Sequence, residues 1–424
     1  MRKSCWLVTV LIFLSLFHSI PARCGTHTNS PAGWGGRAVG MGSVGVATSR
    51  DASGMVYNPA CLTEVERNRF DLGLGVLWPR RSFSNSWNNH VSSKKIWYPV
   101  PQTGYVHKLA ESDFSMGIGC FFTYGAGTEY QFKTPWFPGD IKKAHSTMGV
   151  VKLTPTIAYK VNSRLSAGVA LNINYGMCKV GTPFGPAYLN FDDTADGWGY
   201  GFQAGLLYHF SDSMTFGLAY TSESNLEDLK ADNAYIEWSP FSPYGKTTWR
   251  YNKAEIVNMQ QPCRLAFGVA YKATKRLLLG FDINWENYSD ILEKLEVKLS
   301  DGSGPDMTMT IPLNRSDAYI LSFGIEYMIT EKFCIRTGYS YDSNITDYSK
   351  PFPIIPNTGP AHIFTLGCGY QWNNYEVDFG WSHNFLHGSS THKSSHPIPD
   401  TNEYDNSYLD YSCNYWALTI SKLF

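Results

Sequence analysis

The chain has 424 residues, 35 basic against 36 acidic side chains and a net charge of −1, a balance that gives no support to a nucleic-acid partner. Its mean hydropathy of −0.24 is slightly polar, yet 15% of its residues are aromatic. Past the N-terminal stretch, no apolar run is long enough for a spanning helix, which excludes a helical membrane protein, whereas strands with alternate residues facing lipid need just this mixture.

Arg2 and Lys3 precede an apolar run from Cys5 to Phe17, then Pro21, Ala22, Arg23 and Cys24. This is the order of a secretory signal peptide, assigned to residues 1–24. Arg23 stands where acylation of Cys24 would require a small residue, so plain cleavage beside Cys24 or Gly25 is expected.

Residues 25–65 carry no strand rhythm. Gly33, Gly35, Gly36, Gly40, Gly42 and Gly45 allow close backbone packing, and Asn58, Pro59 and Ala60 read as a defined turn. A segment of this size suits the bore of a wide barrel, and it is assigned as an N-terminal hatch gated around Asn58, Pro59 and Ala60.

Residues 66–424 alternate large apolar with small or polar side chains. Phe70, Leu72, Leu74, Val76 and Trp78 share one face, with Asp71, Gly73 and Gly75 on the other. Tight connections are expected near Ala110 to Asp113, Val161 to Arg164, Ser211 to Asp212, Lys272 to Lys275, Thr330 to Glu331 and Asn373 to Asn374. Long ones are expected at Pro79 to Gln102, Gly125 to Ser146, Lys179 to Gly197, Glu223 to Glu255, Ser289 to Ser316, Asn344 to Pro360 and Leu386 to Leu409. Short turns on one side and long loops on the other predict an all-β, 14-stranded antiparallel transmembrane β-barrel, plugged by the hatch, in the bacterial outer membrane. A soluble two-sheet sandwich also alternates, but strands of this length in one-sided hairpins argue against it.

Asp71, Lys152, Arg264, Asp282, Glu286, Glu326, Arg336 and Asp378 fall on the lumen face. They read as ion pairs that anchor a plug, or, for Arg264 and Arg336, as partners for a ligand carboxylate. Lys142 and Lys143 are looser candidates for that role. Aromatics in the long loops, Phe184, Tyr188, Phe191, Trp238, Phe241 and Trp249, are candidates for a ligand groove. The nine cysteines show no CxxC pair or zinc spacing, and His383, His387, His392 and His396 fit no defined site, so neither metal nor cofactor is expected. The terminal Phe424 on an alternating strand resembles the signal read by the barrel assembly machinery.

Gly36-Arg37-Ala38 through Gly42, Gly45, Val46 and Ala47 to Asp51-Ala52-Ser53 and Tyr57-Asn58-Pro59-Ala60 resembles the N-terminal signature of the FadL family of outer-membrane hydrophobic-compound transporters. Tyr124 to Tyr130, Leu153 to Tyr159, and Pro262 with Leu265 to Tyr271 extend the resemblance over the mature chain. It implies a monomeric fourteen-strand barrel that passively takes up hydrophobic molecules, long-chain fatty acids first, through an apolar pocket and a lateral opening. It also implies a kink in the third strand, for which Gly117, Gly119, Gly125 and Gly127 are candidates. The expected partners are a fatty acid or hydrocarbon ligand, outer-membrane lipid and the assembly machinery. An unselective porin, and a FadL-like barrel with a structural or secretion-partner role, are the alternatives. No GxSxG elbow is present, and no enzyme is expected.

Overall fold

A computed structural model of the protein describes residues 30–350, 354, 360–391 and 404–424, with the side chains of 386–391 left aside. The assigned signal peptide, His392 and His396 lie outside these residues, as does the His387 side chain.

The sheet opens with β1 (Arg69–Ser84), β2 (Val91–Ser92), β3 (Tyr98–Lys108), β4 (Phe114–Lys133), β5 (Ile141–Lys160) and β6 (Leu165–Phe184). Then come β7 (Ala187–Phe191), β8 (Ala195–His209), β9 (Met214–Thr221), β10 (Asn225–Leu226), β11 (Leu229–Ala231) and β12 (Ala234–Trp238). β13 (Thr247–Val257), β14 (Arg264–Lys272), β15 (Leu277–Glu286), β16 (Lys294–Gly302) and β17 (Met307–Pro312) follow. The chain ends with β18 (Ala318–Met328), β19 (Phe333–Asp342), β20 (Ala361–Trp372), β21 (Tyr375–Thr391) and β22 (Ser407–Leu423).

Antiparallel pairing passes from β1 to β3, β4, β5, β6, β8, β9, β14, β15, β18, β19, β20, β21 and β22. β22 then pairs with β1 from Arg69↔Leu423 to Ser84↔Tyr408, which closes the cylinder. The expected total of fourteen strands is corrected: the sheet contains 22, and β2, β7, β10, β11, β12, β13, β16 and β17 are hydrogen-bonded to it outside the circuit just traced. The difference lies in connections read as loops. β7, β12, β13, β16 and β17 pair there with one another and with the upper ends of longer strands. Several of these segments do alternate, as Met307–Pro312 does, but β7, β12 and β17 have only five or six residues, fewer than the roughly 9–11 of a membrane-crossing strand, and so read as parts of loops.

The tight turns gather at the opposite end. Asn162 Oδ1 accepts from the amides of Arg164 and Leu165, and Thr274 Oγ1 and Thr330 Oγ1 do the same two and three residues on. Between the two ends the outer wall is apolar: Leu72, Leu74, Val169, Leu171, Phe364 and Leu366 are each exposed, while Asp71, Asn172 and Thr365 point inward and are buried.

Inside the cylinder lies the segment from Ser30 to Val65, with α1 (Gly36–Gly40), α2 (Gly54–Tyr57) and a 3₁₀ turn, η1 (Pro59–Glu64). Residues 31–49 and 51–63 are all buried. Such short helices leave most amides and carbonyls without internal partners, and the wall supplies them. Asp282 Oδ2 accepts from the amides of Gly45 (2.7 Å) and Val46 (3.0 Å), and Asp71 Oδ2 from Ala52 (2.8 Å). Thr419 and Thr365 hydroxyls accept from Gly36 and Gly42.

Close approach is possible because a band of wall glycines faces the segment. Gly168↔Gly205, Gly217↔Gly268, Gly280↔Gly324 and Gly367↔Gly380 lie opposite one another in register. A Cβ at Gly168 would stand 2.5 Å from the Pro59 carbonyl carbon, and one at Gly205 would overlap Asn58 Oδ1.

Two buried ionic clusters complete the anchoring. Arg37 of α1 donates to Glu326 at 3.1 Å, and Glu326 also accepts from Arg336, which bonds Asp378 at 2.6 Å. Arg69 bonds Asp71 at 2.8 Å and Glu376 at 3.3 Å.

Replacing Arg336 with Met leaves Asp378 buried without its cation and should lower stability by about 3–5 kcal/mol. Urea unfolding in detergent micelles reads this as a lowered midpoint; an unchanged midpoint would contradict it. Gly168→Val should push Pro59 off the wall, and planar-bilayer recording should then show ion conductance above that of the wild type. A folded variant with wild-type conductance would refute the close-packing account.

Candidate functional site

β4 departs from regular pairing at one place. Its register with β5 shifts between Phe122 and Tyr124, so Thr123 is an extra residue, a β-bulge. Below this point β4 pairs with β3, from Lys108↔Ser115 to Gln102↔Phe121. Above it, Tyr98 to Pro101 pair with β1, and among the described residues no pairing joins them to β4. Pro99 and Pro101, two apart, both lack an amide donor on one edge of β3, and proline is tolerated where a strand edge is unpaired.

The interruption is bounded above. Lys94 N donates to Glu129 O at 2.9 Å, and Arg81 Nη1 to Gly127 O at 2.8 Å, so the chain returns to β4. The break is therefore a window in the wall. Trp97, 56% exposed, stacks on Trp78 at 4.9 Å, with Trp416 at 5.6 Å, beside it.

The lumen segment reaches this window. Trp34 Nε1 donates to the Phe122 carbonyl at 3.0 Å, satisfying backbone at the bulge, and Gln261 Nε2 donates to Thr123 Oγ1 at 3.3 Å. Trp34 also packs edge-on against Tyr57, whose hydroxyl accepts from Trp34 N and bonds Ser43. Burial pushes the Tyr57 phenol and the Cys61 thiol upward, so both stay protonated and serve as packing groups.

Next to the bulge is a cavity of about 50 Å³ lined by Trp34, Val56, Thr123, Tyr124, Lys152, Asn174, Thr221, Arg264, Glu286 and Tyr288, among others. Lys152 is buried and has no ion-pair partner among the described residues. Asn174, opposite it in register, presents both amide atoms without a protein partner, as does the Thr221 hydroxyl. Arg264 Nη2 donates to the Val56 carbonyl at 2.6 Å, and its guanidinium lies 5.9 Å from the Trp34 ring. An apolar layer of Tyr124, Val150, Leu226, Tyr288, Ile291, Ala318 and Ile345 adjoins the cavity. Where Tyr124, Val150 and Leu226 of this layer meet Met177, Leu229 and Met259, the free volume is about 10 Å³. The cavity thus brings two cations, the Glu286 carboxylate and an unpartnered amide together beside a closed apolar layer.

The residues singled out by sequence distribute unevenly around it. Asn58 Nδ2 donates to Val46 O at 2.8 Å and to Leu206 O at 2.9 Å, while its Oδ1 accepts from Ala60, so Asn58, Pro59 and Ala60 fasten η1 to β8. Gly117 and Gly119 lie below the bulge, where a Cβ would strike Met55 of α2. Gly125 and Gly127 lie above it, Gly125 under the Phe122 ring and Gly127 as acceptor of Arg81. Arg264 lines the cavity, whereas Arg336 is fully engaged by Glu326 and Asp378. Lys142 is held by Glu237 at 2.8 Å and Lys143 by Glu129 at 3.4 Å. In the upper sheet Phe191 is core and Tyr188 is buried, its hydroxyl donating to Lys143 O. Phe184 is half-buried against the same core, and Trp238 and Trp249 pack with Tyr244. Phe241 stands 62% exposed at the hairpin tip. His383 bonds Asn414 at 2.9 Å on the wall.

Trp34, Gln261 and the Thr123 bulge escaped sequence reasoning. Lys152 was legible as a lumen charge, but its lack of a carboxylate depends on which strands meet.

The profile of the family described as "Outer membrane protein transport protein (OMPP1/FadL/TodX)" matches residues 24–420. The "Long-chain fatty acid transport protein" of Escherichia coli is 23% identical over 381 residues, covering 81% of this chain and 82% of that one. "Outer membrane protein P1" of Haemophilus influenzae is 22% identical over 326 residues, covering 69% and 67%. Among solved structures, the P. putida toluene transporter TodX superposes with a TM-score of 0.79 at 20% identity, covering 93% and 99%. The Ralstonia pickettii toluene transporter TbuX gives 0.73 at 20% identity, covering 93% and 99%. With such relatives the protein is a transport barrel of the outer membrane and not an enzyme. The chain belongs to the OMPP1/FadL/TodX family of outer-membrane transport proteins.

Proposed function

We propose that the hydrophobic compound carried by this transporter is an amphipathic carboxylic acid, most simply a long-chain fatty acid. One observation carries this reading: Lys152 is buried in the lumen with no ion-pair partner among the described residues, facing a small polar cavity beside an apolar layer. A buried cation is costly unless something negative meets it. A neutral hydrocarbon would leave that cost standing; a carboxylate would remove it. The likeness to a long-chain fatty acid transport protein agrees with this choice, whereas the toluene transporters share the fold.

The mechanism follows from what each group can exchange. The cavity of about 50 Å³ admits a headgroup but not an acyl chain, so loading requires the apolar layer to part. A carboxylate reaching Arg264 competes with the Val56 carbonyl, and a charge-assisted bond to an anion is stronger than one to a neutral carbonyl. The Val56 carbonyl is then left with Gln203 Nε2 at 3.0 Å as its one side-chain donor, and the loosened segment relaxes its hold of Trp34 against Phe122 at the bulge. The chain then has an apolar route through the window between β3 and β4 into lipid, where each Å² kept from water is worth roughly 25 cal/mol. No energy source is required for movement down a gradient. A general porin fits less well, since residues 31–49 and 51–63 fill the bore.

Lys152→Met should weaken oleate binding by roughly ten- to a hundred-fold, the loss of a hydrogen bond to a charged group, while toluene binding stays unchanged. Equilibrium binding of labelled oleate to the purified barrel, with toluene as competitor, measures both. Equal oleate affinity in the two proteins would remove the carboxylate reading, and tight toluene binding alone would replace it with a hydrocarbon.

A further inference from the structure

The end of the barrel that carries the tight turns holds a second cavity, of about 640 Å³, distant in chemistry from the headgroup pocket. Four cationic side chains line it: Arg50 from the lumen segment, and Lys272, Lys275 and Arg276 from the β14 to β15 turn. None of the four forms an ion pair with a described residue. Glu326 and Asp212 line it as well, and Glu64 and Glu66 lie near Arg50. Glu326 is already bonded by Arg37 and Arg336, and Glu64 by His209, which leaves Asp212 and Glu66 as the acidic neighbours without an ion pair among the described residues. Beneath the charges lie Leu277, Leu278 and Met328.

Four cations around one cavity repel one another, whereas Arg37, Arg336 and Arg69 elsewhere in the lumen each meet a carboxylate. We propose that this cavity is a binding site for the anionic headgroup of an amphiphile, a phosphate or carboxylate held by Arg50, Lys272, Lys275 and Arg276 with its first methylenes on Leu277, Leu278 and Met328. The site has a structural consequence. Arg50 belongs to the segment inside the barrel and the other three cations to the wall, so one bound anion links the two and fastens the segment at this end. A phospholipid of the surrounding leaflet and a free fatty carboxylate carry the same chemistry.

Native mass spectrometry of the intact barrel in non-ionic detergent tests the site with two water-soluble probes of equal apolar content, dihexanoyl phosphatidylglycerol and dihexanoyl phosphatidylcholine. The wild type should retain one phosphatidylglycerol at least ten-fold more readily than phosphatidylcholine. Lys275→Met/Arg276→Met, two exposed turn positions, and separately Arg50→Met should each abolish that preference. Competition by laurate would name a carboxylate amphiphile as the natural source, and its absence a phospholipid; either outcome keeps the site. Equal retention of the two probes by the wild type, or an undiminished preference in both variants, would overturn it. Since Lys152 is untouched in these variants, oleate binding at the upper pocket serves as an independent control.

Discussion

Everything inside this barrel depends on wall carboxylates and hydroxyls taking over the backbone hydrogen bonds of a segment too short and too glycine-rich to satisfy its own. Asp282 receives two consecutive amides, Asp71 a third, and Thr365 and Thr419 two more. Charged acceptors in a dry interior make strong bonds, and they are tolerable there because Arg69, Arg37 and Arg336 neutralise much of the remaining charge. The glycine band is the steric half of the same arrangement, since a carboxylate can meet a backbone amide only if nothing larger than hydrogen stands between neighbouring strands and the segment. Fixing the segment in turn fixes Trp34 at the bulge and Val56 under Arg264.

This coupling explains why the headgroup pocket, the lumen segment and the wall window read as one device. Few hydrogen bonds join them: Arg264 and Gln203 to the Val56 carbonyl at 2.6 and 3.0 Å, and Trp34 to Phe122 at 3.0 Å. The anchors on β1, β15, β18 and β21 lie away from this chain of contacts. A ligand can therefore disturb the part of the segment near the window while the part bound by Asp282 and Glu326 stays seated.

Much of this was legible in the sequence, for reasons that can be named. The turns carry hydroxyl or amide side chains that cap their own backbone, as Asn162, Thr274 and Thr330 do, and such local chemistry needs no tertiary knowledge. The lipid face was legible at Leu72, Leu74, Phe364 and Leu366 because water and lipid impose a strict period of two. The strand total was not, since β7, β12 and β17 are only five or six residues long and sit inside connections long enough to read as loops. Arg264 and Arg336 look alike in sequence. Register alone does not separate them, since Arg336 stands opposite Glu326 and Arg264 opposite Glu286; the further neighbour does, Asp378 for Arg336 and the Val56 carbonyl for Arg264. The bulge at Thr123 had no signal of its own, although Pro99 and Pro101 on the facing strand marked an edge that could not pair.

The central claim is that the window between β3 and β4 is the way out for cargo and that the Thr123 bulge holds it open. Deleting Thr123 removes the extra residue without changing which faces of β4 point inward relative to β5, so β4 should straighten and its pairing with β3 should extend upward. Uptake of labelled oleate by cells that produce this protein as their sole fatty-acid transporter should fall at least ten-fold on that deletion, with oleate binding to the purified barrel retained. Undiminished uptake by the folded deletion variant would contradict the account, because cargo would then be leaving by another route.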